Sequence, residues 1–261
     1  MSRTRPVVAI DGPVGAGKST VARALARALG FSYLNTGAMY RAVAVAARAA
    51  GISPDLADAP DLTGAPDLAD APDLAGAPGI ADALGAAADA KAREHLQKIL
   101  DTLSITFNGE RIMLAGRDIT DIIAQPEIGD LASRFSAMGL VRAKMRDLQR
   151  AAGAAGGVVM EGRDIGTAIF PDAEVKFFLV ADPGVRAARR YAELVEKGAA
   201  TTLEEVGAQI VERDRRDAGR ALAPLMRADD AIVIDSTARE VEAVVNEMKS
   251  KVEAVSRAIR A

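Results

Sequence analysis

The run Gly12-Pro13-Val14-Gly15-Ala16-Gly17-Lys18-Ser19 constrains this chain more than any other stretch. Ahead of it, Val7-Val8-Ala9-Ile10 reads as a buried strand, and behind it Val21 to Leu29 carries apolar residues at helical spacing. A glycine-rich turn between strand and helix can aim several backbone N–H groups at one anion, because glycine poses no steric bar to the φ values required. The positive end of the helix dipole adds to that attraction. In this pattern Lys18 reaches the β- and γ-phosphates of a nucleoside triphosphate, and the Ser19 hydroxyl joins Mg²⁺.

Composition narrows the remaining chemistry. Cysteine is absent, which removes disulfides, thiolate metal sites and thiol nucleophiles. The single histidine, His95, sits in a polar helical stretch and reads as solvated, so a Ser-His-Asp triad has little to build on. A net charge of −3 gives no general reason to expect nucleic acid or membrane as a partner. No stretch approaches the ~20 apolar residues of a membrane span, and Asp11 interrupts the first apolar run too early for a secretory signal. The expectation is a cytoplasmic monomer with a core of Ala, Val, Leu and Ile.

Along the chain, strands are expected at 31–34, 158–160, 175–180 and 231–234 besides the first. Helical patterns lie between and around them, near Thr36–Ala50, 183–197, 202–217 and 237–260, the last with Thr237 and Glu240 as a capping box. Strands alternating with helices imply an α/β fold, a parallel sheet flanked by helices with ligands at the strands' C-terminal ends. A helix near 89–103, a hairpin over 104–114 turning at Asn108-Gly109, and helices near 126–137 and 140–154 interrupt that alternation and read as an inserted substrate lobe.

Residues 54–83 are five hexamers: PDLADA, PDLTGA, PDLADA, PDLAGA and PGIADA. Their prolines recur too often for a continuous helix. The repeat reads as a disordered or loosely turned acidic linker, a short helix-turn array or a β-helical piece. It carries no residue suited to chemistry and is expected to be dispensable.

Two charged clusters remain. Glu161-Gly162-Arg163-Asp164-Ile165-Gly166-Thr167 follows a strand, and reads as a ligand-contacting loop or a plain polar turn. Glu212 to Arg220 reads as a solvated helix face or as a ligand-facing one, with Arg213, Asp217 and Arg220 at i, i+4 and i+7. Arg186, Arg189 and Arg190 form another one-sided set. Thr36 fits a helix cap, and Tyr40 and Arg41 fit either surface or site. Phosphoryl transfer to an anionic acceptor gives such arginines a purpose, since both phosphates must be neutralised before one attacks the other. Arginines that close over bound ligands would form a lid, to which Gly219 would lend flexibility.

Taken together, these residues resemble the bacterial cytidylate kinases. The match runs through Ile10-Asp11-Gly12-Pro13 into Gly15-Ala16-Gly17-Lys18, then Thr36-Gly37-Ala38-Met39-Tyr40-Arg41, and Val141-Arg142 with Gln149-Arg150. It continues in Gly162 to Thr167 with Phe170-Pro171-Asp172-Ala173, Glu212-Arg213-Asp214 with Asp217, Arg220 and Ala223-Pro224-Leu225, and Asp235-Ser236-Thr237. The resemblance implies a nucleoside monophosphate kinase: a core over 1–50 and 156–261, a lid at about 183–224, and an acceptor-binding lobe over 84–155. It implies ATP and Mg²⁺, with CMP or dCMP as acceptor. Gly12, Pro13, Val14, Gly15, Ala16, Gly17, Lys18, Ser19 and Thr20 would hold the ATP phosphates. Arg41, Arg163 and Arg213 would clamp the acceptor phosphate, and Thr36, Arg142, Asp164 and Arg220 would read cytosine. Asp217, Tyr40 and Ser133 would face the sugar, with Arg186, Arg189 and Arg190 on the ATP side. Many members carry Asp where Glu161 stands, which leaves the role of this carboxylate open. Other acceptors (UMP, AMP or a small metabolite) are the nearest rival. A GTPase switch would call for Asn-Lys-x-Asp, which is absent, and the repeats lack the aromatic or basic anchors of a binding module.

Overall fold

Every residue of Val7–Asp11 (β1) is buried, as a strand flanked on both edges and covered on both faces must be. In the computed structural model, which describes residues 3–55, 80–109 and 111–260, β1 is the middle of a five-stranded sheet. The other strands are Ser32–Asn35 (β2), Val158–Glu161 (β6), Val175–Val180 (β7) and Ile232–Asp235 (β8), in the order β2-β6-β1-β7-β8. All pairings are parallel, with Ile10 opposite both Glu161 and Phe177. Parallel strands bring all five C-terminal ends, and the loops that leave them, to one edge of the sheet.

Helices Lys18–Leu29 (α1) and Val241–Arg260 (α9) contribute to the core of this unit. There Val21 and Leu25 of α1 and Val244 and Met248 of α9 bury themselves with Val8, Ile10, Phe177 and Leu179. Helices Pro183–Glu196 (α7) and Leu203–Ala218 (α8) pack through Ala187, Leu194, Val206 and Ile210, with Val14 of the glycine-rich loop against them. The chain divides into two units, residues 1–37 with 145–261, and residues 38–144. The second unit holds a three-stranded antiparallel sheet, Ile105–Asn108 (β3), Arg111–Leu114 (β4) and Arg117–Asp118 (β5). It also holds Ile80–Asp101 (α3), Thr120–Ile123 (α4) and Pro126–Phe135 (α5). Thr36–Ala49 (α2) and Gly139–Gly153 (α6) run across the boundaries between units.

Three expectations change. Asn108 ends β3 opposite Arg111 instead of entering the turn, where Gly109 has φ 61°. A turn with two central residues at positive φ comes one hairpin later, at Ala115 and Gly116, where an alanine hid the usual signal. Helix α3 starts at Ile80, because only Pro78 and its predecessors bar a helix, so the last repeat's residues 80–83 are helical; residues 56–79 lie outside the described ones. Thr237 does not cap α9: its N–H and hydroxyl both donate to Asp235 Oδ1, at 2.8 and 2.6 Å, and Glu240 precedes the helix. The capping box belongs instead to Thr202 and Glu205 at the start of α8.

Gly12 shows how tightly β1 and β7 close at the sheet edge. It has φ +148°, and a Cβ there would lie 2.1 Å from the Leu179 carbonyl oxygen. Gly12→Ala is therefore expected to cost about 3 kcal/mol or more in urea unfolding, through strain and backbone collision together. An unchanged midpoint would contradict this packing.

Candidate active site

The sheet edge delivers the loop after β1 directly into α1, which begins at Lys18, three residues before the sequence pattern suggests. Lys18 is only 6% exposed, and its Nζ donates to the Pro13 carbonyl at 2.6 Å, curling back over its own loop. Burial holds the Lys18 pKa well below the usual lysine value. The Arg163 and Arg213 guanidiniums push the same way, against Glu161 and Asp11. A cation kept among cations, away from water, is a site prepared for an anion.

Asp217, 1% exposed, is the counter-charge of this cluster. Its Oδ2 accepts from Arg163 Nε at 2.9 Å and its Oδ1 from Arg220 at 2.5 Å. Burial raises the Asp217 pKa, but Arg163, Arg220 and Arg213 together outweigh it and hold the carboxyl below its usual range. Helix α8 ends at Ala218, so Arg220 returns to Asp217 from beyond the helix, while the Leu225 N–H donates to the Asp217 carbonyl at 2.8 Å. Gly219 has an ordinary φ of −85°; Ala223 takes the positive φ, 49°.

The arginines of α7 are engaged by protein. Arg186 donates to the carbonyls of Val14 at 3.0 Å and Ala181 at 3.2 Å, and to Asp214 at 2.5 Å. Arg189 donates to the Ser236 carbonyl at 2.7 Å and to its hydroxyl at 3.1 Å. Arg190 pairs with Glu193 at 2.7 Å.

Glu161, at the end of β6, ties several positions together. Its Oε2 accepts from Ser19 at 2.9 Å and its Oε1 accepts from the Tyr33 hydroxyl. Its carbonyl accepts from Thr36 Oγ1 at 2.7 Å. Thr36 thus ties the start of α2 to β6 rather than capping the helix. Asp11, given no role in the sequence beyond breaking an apolar run and standing in the family motif, is buried and accepts from the N–H groups of Ile165 and Gly166 at 2.9 and 2.8 Å. Those two residues open a π-helical turn, Ile165–Ile169, with Asp164 just before it. The Ser19 oxygen, its proton directed to Glu161, is a hard donor suited to Mg²⁺, which usually takes one or two protein oxygens and fills its shell with phosphate and water. Among the described residues no cluster of three or more His, Cys, Asp or Glu side chains forms, and no helix is long and apolar enough to cross a membrane.

In the second unit, Arg41 donates to the Ile123 carbonyl, and Tyr40 is half-buried beside it in sequence. Ser133 is buried in α5, where its carbonyl accepts from Ser136 Oγ at 2.7 Å, and Arg142 donates to the Ser136 carbonyl at 3.3 Å. Ser133 and Arg142 thus both bond Ser136, between α5 and α6. His95 is exposed.

A family model described as cytidylate kinase matches residues 8–254. Curated relatives called cytidylate kinase include one from Geobacter sp. (strain M21), 43% identical over 94% of this chain and 92% of its own. Another, from Geobacter sulfurreducens, is 43% identical over 97% and 94%, and one from Thermosipho melanesiensis is 41% identical over 91% and 92%.

Burial raises the Asp11 pKa from its ordinary 3.8 to about 6, against the two N–H donors, with Asp164 adding to the rise. Between those values the folded protein keeps a proton that the unfolded chain releases, so this group's contribution to stability falls as pH rises. A change of that size corresponds to about 3 kcal/mol. Asp11→Asn removes the titration, so urea unfolding at pH about 4 and about 7 should show its stability rising by that amount relative to the unmodified protein. A difference independent of pH would contradict the assignment.

Proposed function

This chain belongs to the cytidylate kinase family, and on that premise we propose that it transfers the γ-phosphoryl group of ATP to CMP or dCMP, giving ADP and CDP or dCDP. The observation that carries the reading is the crowding of Arg163 and Arg213 around the buried Lys18, with Asp217 as their counter-charge. Two anions that repel each other must meet for transfer, and a preformed cationic centre lowers that barrier without reorganising at the moment of reaction.

In this account Gly12 to Thr20 hold the ATP phosphates and Lys18 leaves Pro13 for the transferring group. Arg163 and Arg213, with Arg41, take the acceptor phosphate, and Asp217 with Tyr40 and Ser133 faces the sugar. Arg186, Arg189 and Arg190 serve the ATP side, where Arg186 steadies the loop through Val14. Mg²⁺, bound by Ser19, would supply charge neutralisation and orientation of the phosphates.

The base preference has its own support. A carbonyl can only accept, so the Thr36 hydroxyl must give its proton to Glu161 O, and its oxygen can then only accept from a ligand. The amino group of cytosine offers a donor there, whereas the carbonyl at the same position of uracil offers a second acceptor. Asp164, Arg142 and Arg220 complete the proposed base-reading set.

ADP release with ATP, Mg²⁺ and CMP, dCMP, UMP, AMP or GMP tests the reading. Cytidine nucleotides are expected to lead, Lys18→Ala to lower turnover about 100-fold or more, and Thr36→Ala to narrow the CMP-over-UMP preference about ten-fold. Turnover led by another acceptor, or retained without Lys18, would contradict it.

A further inference from the structure

The carboxylate of Glu161 is held from two sides. Tyr33 stands two residues before Asn35 on β2, and Asn35 lies opposite Glu161 on β6, so the pleat puts all three on one face of the sheet. The Tyr33 hydroxyl donates to Oε1 and the Ser19 hydroxyl to Oε2. A carboxylate oxygen has no proton of its own to give as an anion, so the phenol is the donor in this contact. Arg23 follows Ser19 by one helical turn on α1, and its guanidinium lies 5.7 Å from the Tyr33 ring centroid. Ser19, Glu161, Tyr33 and Arg23 therefore form a closed circuit that starts and ends on α1.

We propose that Tyr33 is a positioning residue for the divalent cation that Ser19 would ligate: by occupying Oε1 it fixes the other oxygen of Glu161 on the Ser19 proton. The inference rests on the metal reading above. With its proton committed to Glu161, the Ser19 oxygen presents lone pairs outward, which is what a hard cation needs. A carboxylate one methylene longer than aspartate has one more torsion to settle, and the Tyr33 contact settles it. Without that contact Glu161 can turn away, and Ser19 can point its proton where the cation should be.

The test is Mn²⁺ binding to the protein–ADP complex, followed by electron paramagnetic resonance in the unmodified protein, Tyr33→Phe, Glu161→Gln and the double variant. Partners that orient a metal ligand are typically worth 10- to 100-fold in metal affinity, and the expected loss in Tyr33→Phe is about ten-fold. ADP binding without metal should stay within about two-fold, which also shows that the variant is folded, since only the orienting contact is removed. Because Tyr33 acts through Glu161, the double variant should be no weaker than Glu161→Gln alone. Glu161→Asp, which draws the carboxylate back from both partners, should weaken Mn²⁺ on the same scale and offers a second route if Tyr33→Phe folds poorly. Unchanged Mn²⁺ affinity in Tyr33→Phe, or additive losses in the double variant, would overturn the proposal while leaving the metal reading standing. If the unmodified protein bound Mn²⁺ no better than ADP alone does, both would fall.

Discussion

Like charges crowded where water cannot screen them are unstable, and this protein places Lys18, Arg163 and Arg213 in that relation. The rest of the site follows from keeping that arrangement folded before an anion arrives. Asp217 supplies the opposing charge, bridging Arg163 and Arg220 from within α8. Lys18 turns its Nζ onto a carbonyl of its own loop. An incoming phosphate would replace these internal partners with stronger ones.

The sheet makes the crowding possible. Because β1, β6 and β7 run parallel, Asp11, Glu161 and the glycine-rich loop leave from the same edge. The loop fits only because Gly12 lies against the Leu179 carbonyl without a side chain. Glu161 then connects two proposed tasks, its carboxylate holding Ser19 on the proposed phosphate side and its carbonyl orienting Thr36 on the proposed base side. One strand end thereby sets both the proposed cation ligand and the hydrogen-bonding sense of the proposed base reader.

Much of this was legible in the sequence. Four of the five strands of the parallel sheet stand out as apolar runs, β2 shows as the short stretch 31–34, and the glycine-rich loop announces its own chemistry by spacing. What could not be read is long-range pairing. Tyr33 looks like any strand aromatic until the register places it beside Glu161. Asp11 looks like a strand ending until two N–H groups from residues more than a hundred positions later converge on it. Arg220 shares helical spacing with Arg213, yet reaches Asp217 from outside the helix. Local rules misled where two signals competed, as at Asn108-Gly109 against Ala115-Gly116, and at Thr237 against Thr202.

The most direct test of the prepared cationic centre is proton uptake on nucleotide binding. Titration calorimetry with a non-hydrolysable ATP analogue, in buffers of different ionisation enthalpy, reads it near pH 8.5, about two units below the ordinary lysine value. The triphosphate is already ionised there, so a proton taken up belongs to the protein. If burial and neighbouring arginines hold the Lys18 pKa down, binding should draw in a proton, and Lys18→Met should abolish the uptake. Binding with no proton uptake, or uptake unchanged in Lys18→Met, would contradict the account.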